Sequence, residues 1–296
     1  MPRKATIQLT ATPARGVQSP DLLQGRSGHA LDGGRRALLQ RRNGLAAGLD
    51  VAPVDALGIE EAMRYSRSMT ETLVAWLSAT DRTDPWRACV ELAWEALQAG
   101  SVPVGAVVVD AGGGIVSRGR SRAQERGGPA GQLWGTYLAH AEVNALAALR
   151  PGDYPGHTLY TSLEPCLFCT AASVLAHVGT VRYAGADPLW SGVERLPALN
   201  AHVARCWPQR YGPLDTPLAL VGTLLPLAFF LRRNPSSVVA QTHELVMPRL
   251  VGLARELLAS QQLDELATGS LPRALDALEE RLRACRPDGR LTDTAT

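Results

Sequence analysis

Apolar and polar positions change period several times along the chain, and each change predicts a boundary between elements. After Asp84-Pro85, an acceptor side chain and a proline suited to the first helical position, Cys89, Leu92, Ala93, Ala96 and Leu97 recur at helical spacing until Gly100 ends the run. Val104 to Asp110 and Gly114 to Gly119 read as strands joined by Ala111-Gly112-Gly113, which predicts a hairpin. A helix is predicted over Ala139 to Arg150, with Val143, Leu146, Ala147 and Leu149 on its apolar side. There follow a short buried strand over His157 to Ser162, a helix opened by Pro165 and running to about His177, and a strand over Thr180 to Ala184. Such alternation calls for a mixed sheet with helices on its faces.

The flanks are patterned differently. Residues 1 to about 55 are rich in Gly, Ala, Arg and Ser without a sustained period, the composition of an unordered tail. From Gly58 to about Ala79, Ile59, Ala62, Met63, Met69, Leu73, Val74 and Leu77 suggest a helix, followed by a linker. Beyond Pro213, Leu, Ala and Val at helical periods predict helices over about Thr216 to Arg232, Ser237 to Ser260 and Leu271 to Cys285. The expected organisation is a disordered tail over 1–57, an extra helix and linker over 58–83, an α/β domain over 84–212 and a helical C-terminal appendage over 213–296. The default role of the appendage is packing on the α/β domain or making a homodimer.

Composition narrows the partners. The longest apolar stretch, Pro217 to Leu231, is broken by Pro226 and too short for a membrane span, and no apolar run follows Arg3 and Lys4 as a secretory signal would require. Five cysteines, with Cys89, Cys206 and Cys285 scattered, form no disulfide framework, so a reducing cytoplasm is expected. Between Arg82 and Gly212, eleven Arg face ten acidic residues. That balance lacks the basic footprint of a domain that grips a phosphate backbone. Arg118, Arg120 and Arg122 alternate on a predicted strand edge, either as a small anion site or as charges that block edge pairing.

The candidate chemistry lies in two short segments, His140-Ala141-Glu142 and Pro165-Cys166-Leu167-Phe168-Cys169. Imidazole and thiolate suit Zn²⁺, and three protein ligands leave a fourth tetrahedral position open, a catalytic count. Glu142, beside the metal but not bound to it, can move protons. Pro165 would open the helix and place Cys166 and Cys169 on one face of its first turn.

Residues from about Asp84 to Asp187 resemble the cytidine and deoxycytidylate deaminase superfamily, specifically its tRNA-adenosine deaminase and guanine deaminase branch. The resemblance is carried by Pro103-Val104-Gly105-Ala106-Val107-Val108-Val109, His140-Ala141-Glu142-Val143 and Leu159-Tyr160-Thr161-Ser162-Leu163-Glu164-Pro165-Cys166-Leu167-Phe168-Cys169. It implies a cytidine-deaminase-like three-layer α/β/α fold, zinc held by His140, Cys166 and Cys169, Glu142 as proton shuttle, and a substrate contact from the Ala141 amide. Where this branch carries an Asn that bonds the base, Ser121 stands here, a shorter side chain with a different donor and acceptor set. Trp134 and Tyr137, in the long loop from Ala123 to Leu138, either stack on a heterocycle or pack in the core. The implied function is zinc-dependent hydrolytic deamination of a nucleobase, nucleoside or related small heterocycle, with release of ammonia. The alternatives are a tRNA adenosine-to-inosine deaminase, which the charge balance disfavours, and a zinc-retaining binding protein without turnover.

Overall fold

The computed structural model describes residues 72–286. The tail expected over 1–57 and the helix expected from Gly58 to residue 71 lie outside the described residues. The part of that helix which is described, α1 (Leu73–Ala79), is a separate helix. Thr72 precedes it in an extended conformation, ψ 153°, and caps it by accepting the Ala75 N–H at 3.1 Å.

Helix α2 (Pro85–Gln98) follows its Asp84 cap and Pro85 as predicted, and Gly100 leaves it with φ +73°. Strands β1 (Gly105–Val109) and β2 (Ile115–Arg120) form the expected antiparallel hairpin. The Asp110 carboxylate closes the turn by accepting the Gly112 and Gly114 N–H groups, each at 2.9 Å.

After the hairpin come α3 (Ala141–Leu146), β3 (Thr158–Leu163), α4 (Leu167–Leu175) and β4 (Thr180–Gly185). Two of these helices are shorter than their patterns suggested. Helix α3 stops at Leu146, with Ala147 as its C-cap, and the residues that follow turn before Pro151, which disfavours helical backbone at Arg150. Helix α4 starts two residues after Pro165, because Cys166 adopts an extended conformation and takes the capping position itself.

The next connection holds two short 3₁₀ segments, Pro188–Trp190 and Val193–Ala198, and then α5 (Ala201–Arg205) and β5 (Gln209–Tyr211). A three-residue strand gives too few positions for a period, so β5 has no sequence signal.

The sheet order is β2-β1-β3-β4-β5, antiparallel through β3 and parallel beyond it. Alternation along the strands makes three layers. Val107, Val109, Tyr160 and Ala184 enter the core that contains α2 and α6 (Pro217–Arg233). Ala106, Val108, Leu159 and Val181 face the opposite way, into the core with Ala141 and Ala145 of α3.

The C-terminal region is helical, as expected, and shares the first of these cores. Helices α7 (Val238–Val246) and α8 (Pro248–Ala259) replace the one helix expected over 237–260, since Pro248 has no N–H and begins a new helix. Helices α9 (Gln262–Ala267) and α10 (Leu271–Ala284) complete the chain within the described residues. Helix α6 lies close on the sheet at Gly222, where a Cβ would collide with the Ser162 carbonyl oxygen. Helix α10 holds α1 through Glu279, which accepts the Leu73 N–H at 2.8 Å.

Candidate active site

The carboxyl ends of β3 and β4 lie side by side, with Leu163 paired to Gly185. The chain leaving β3 delivers Glu164, Pro165 and Cys166, and the chain leaving β4 delivers Asp187. The N-terminal end of α3 brings His140, Ala141 and Glu142 to the same place, since these residues and those two segments line one cavity. Helix α3 is held close to β2 at Gly119, where a Cβ would meet the Ala141 carbonyl oxygen. Buried Asn144 ties the long loop to the helix. Its Oδ1 accepts the Leu133 N–H at 2.7 Å, and its Nδ2 donates to the Arg120 and Leu133 carbonyls, each at 3.1 Å.

His140, Cys166 and Cys169 converge. His140 Nδ1 is 3.3 Å from Cys169 Sγ and 3.6 Å from Cys166 Sγ, and the two sulfurs are 3.6 Å apart. Ligand bonds of normal length at tetrahedral angles would separate two sulfurs by about 3.8 Å and a nitrogen from a sulfur by about 3.6 Å. The three side chains therefore fit zinc without rearrangement.

The edge of Phe168 meets the His140 ring with centroids 5.7 Å apart, and His140 also hydrogen-bonds the Tyr137 carbonyl, the kind of outer contact that orients a metal-bound imidazole. Hydrogen bonding from Cys169 and His140 draws the Cys166 thiol down to about 4, whereas burial pushes Cys169 up. A metal that displaces the remaining thiol proton would take both as thiolates.

Glu142 is buried and lies in the first turn of α3. Burial raises its carboxyl above the usual range, opposed by His140. A carboxyl so placed can both accept and return a proton, as a shuttle must.

The cavity has a volume of about 270 Å³. Of the residues that the sequence singled out for substrate contact, Ser121, Ala141 and Tyr137 line it and Trp134 does not. Trp134 is 46 % exposed and lies on Gly128, and Tyr137 is 87 % exposed, so neither is a core residue. Arg120 and Arg122 both bind the Glu125 carboxylate, which removes them as an anion site.

Several lining residues carried no sequence signal. Gln124 and Asp187 come from connections, while Phe230, Val239 and His243 come from the C-terminal helices. Isolated polar residues in loops and a single His in a helix have no spacing to betray them.

A family model described as the cytidine and deoxycytidylate deaminase zinc-binding region matches residues 80–185. A tRNA-specific adenosine deaminase of Aquifex aeolicus is 32 % identical over 130 residues, which make up 40 % of this chain and 78 % of that protein. A tRNA(Ile)-lysidine synthase of Deinococcus radiodurans is 39 % identical over 101 residues, 33 % of this chain, but the match spans only 16 % of that protein's length. Among solved structures, a guanine deaminase from Bacillus subtilis aligns at 30 % identity and a TM-score of 0.30, covering 36 % of this chain and 66 % of that one.

Proposed function

The chain belongs to the cytidine and deoxycytidylate deaminase family, and from that premise we propose that it hydrolyses an exocyclic amine of a free nucleobase, nucleoside or related small heterocycle, releasing ammonia. The observation that carries this reading is a buried carboxylate, Glu142, beside a His140-Cys166-Cys169 triad of zinc-compatible geometry, with Glu142, His140 and Cys166 lining one cavity.

His140, Cys166 and Cys169 would hold the metal, which when bound supplies the Lewis acidity that makes water a nucleophile near neutral pH. The protein's own residues then manage protons. Glu142 accepts a proton from the attacking water as a C–O bond forms at the amidine-like ring carbon. It gives that proton to the ring nitrogen, then takes the second proton from the newly added hydroxyl and gives it to the amine as the C–N bond breaks, leaving a carbonyl and ammonia. The Ala141 amide and Ser121 are proposed to contact the substrate, and Tyr137 to cover the cavity mouth.

The rival substrate is tRNA adenosine, the substrate that the Aquifex relative's name indicates. It is disfavoured because no Arg or Lys lines the cavity among the described residues. A zinc-retaining protein without turnover is disfavoured because a structural metal needs no buried carboxylate beside it.

We further propose a homodimer, which exposed Leu167, Phe168 and Leu175 on α4 support. A cytoplasmic location is proposed from the five cysteines, whose spacing makes no disulfide framework. No helix among the described residues is long and apolar enough to cross a membrane.

The test is ammonia release from adenine, guanine, cytosine and their nucleosides by zinc-loaded protein, beside inosine formation in tRNA. Turnover of at least one free compound is expected. Efficient conversion of a tRNA adenosine with no free substrate would reverse the choice.

A further inference from the structure

The C-terminal helices build one wall of the cavity. Thr223, Pro226, Leu227 and Phe230 of α6 and Val239 and His243 of α7 all face it. His243 is only 3 % exposed. Its Nδ1 lies 2.9 Å from the Val239 carbonyl oxygen, which can only accept, so the neutral ring carries its proton on Nδ1. That leaves Nε2 as the nitrogen facing Asp187, at 3.9 Å from Oδ1, longer than a hydrogen bond.

Asp187 is fixed independently. Its N–H donates to Glu164 Oε2 at 3.1 Å, and its Oδ1 accepts the Leu189 N–H at 3.1 Å. Asp187 and His243 thus stand as a held pair at the cavity wall, neither satisfying the other by a direct hydrogen bond. Both lie beyond residue 185, where the family match ends.

The charge of the lining limits what can enter. Glu142, Glu164 and Asp187 contribute carboxyl groups, while no Arg or Lys lines the cavity among the described residues. A phosphate would meet these carboxyl groups, while the charge of a bound zinc is balanced by the Cys166 and Cys169 thiolates and the guanidinium beside Glu164, that of Arg210, is already engaged with Glu164 at 3.7 Å and Glu194 at 2.6 Å. The volume of about 270 Å³ also exceeds the cavity of about 150 Å³ that admits benzene, so there is space beyond a single ring.

Resting on the deaminase reading above, we propose that Asp187 and His243 are specificity-determining residues that receive a neutral N–H or O–H donor of the substrate, remote from the attacked carbon. The substrate is then an uncharged base or nucleoside, and its phosphorylated form is rejected. The donor is either a ring or amino N–H of the base or a sugar hydroxyl, both of which offer the same hydrogen to the acceptor pair.

The test uses the zinc-loaded full chain with Asp187→Asn and His243→Gln. Each replacement keeps a polar side chain of similar reach, and thermal melting checks that the variants fold. Turnover and calorimetric binding are measured for adenine, guanine, cytosine, their nucleosides, the 2′,3′-dideoxynucleosides and the 5′-monophosphates.

For wild type, kcat/KM is expected to be at least about a hundredfold lower for the monophosphate than for the best uncharged compound. Asp187→Asn should raise KM or Kd for that compound about tenfold, with kcat changed far less. If the donor is the 2′- or 3′-hydroxyl of the sugar, the dideoxynucleoside will already bind weakly to wild type and be indifferent to the substitution, and if it is the 5′-hydroxyl only the free base will. If it is on the base, free base and dideoxynucleoside will show the full effect.

Wild-type turnover with unchanged KM and Kd in both variants, or with a monophosphate preferred, overturns the inference and leaves the deaminase reading standing. Binding that Asp187→Asn weakens, without ammonia release, sustains the inference and overturns the deaminase reading. Absence of binding by every compound overturns the inference. Should one variant fail to fold, the other and the wild-type phosphate comparison decide.

Discussion

Glu142 can be separated from the metal by a substitution that keeps its shape. Glu142→Gln retains the side chain's length but cannot accept a proton from water, so zinc content should stay at one per chain while turnover falls by about a hundredfold or more. Its melting temperature should hold or rise, because the change removes a carboxylate that burial already disfavours. Normal turnover in zinc-replete Glu142→Gln would remove the residue from the chemistry.

Cys166 has two duties, since its Sγ also accepts the Cys169 N–H at 3.5 Å and caps α4. Cys166→Ala should lose both zinc and cap. Cys166→Ser should lose zinc yet recover about 0.5–2 kcal/mol of stability, because a serine hydroxyl is a good cap and a poor zinc ligand. Elemental analysis and urea unfolding of the two variants check this, and full zinc in either would displace Cys166 from the ligand set.

At the scale of elements, the contact of α6 with the sheet depends on Gly222. A side chain there must push the helix away from the Ser162 carbonyl, so Gly222→Val should cost about 1–3 kcal/mol or more in urea unfolding. It should also impair turnover, because Thr223, Pro226 and Leu227 next to it face the cavity. A variant as stable and active as wild type would show that the helix has room to shift.

This contact was not legible in the sequence, and the reason is general. The strands β1, β3 and β4, the helix α2 and the metal triad follow from local periods and from short motifs whose spacing has a chemical meaning. His243 and Asp187 meet only because tertiary folding brings a helix back across the end of the sheet. Even within the motifs, local chemistry moved the boundaries. Cys166 was expected inside the first turn of its helix, but its thiol is an acceptor and takes the cap, leaving Pro165 outside. The paired Arg120 and Arg122 looked available on a strand edge until the loop returned Glu125 to them.

For the whole molecule, the decisive fact is that one core serves both the sheet and the C-terminal helices. Trp86, Val107, Tyr160 and Ala184 belong to the same buried cluster as Leu224, Leu250, Leu257, Leu275 and Leu282. Removing residues 213–296 would uncover the part of the sheet over β3 and β4 that α6 covers, leaving α2 alone on that face, and expose side chains that are nearly all inaccessible. At about 25 cal/mol for each Å² of apolar surface, the loss would far exceed the marginal stability of an ordinary domain. A chain ending at Gly212 should therefore show no cooperative thermal transition and should fail to retain zinc, whereas the full chain should melt in one transition that shifts upward with zinc. A truncated chain that melts cooperatively, holds one zinc and deaminates the same substrate would show that the C-terminal helices are dispensable to both fold and site.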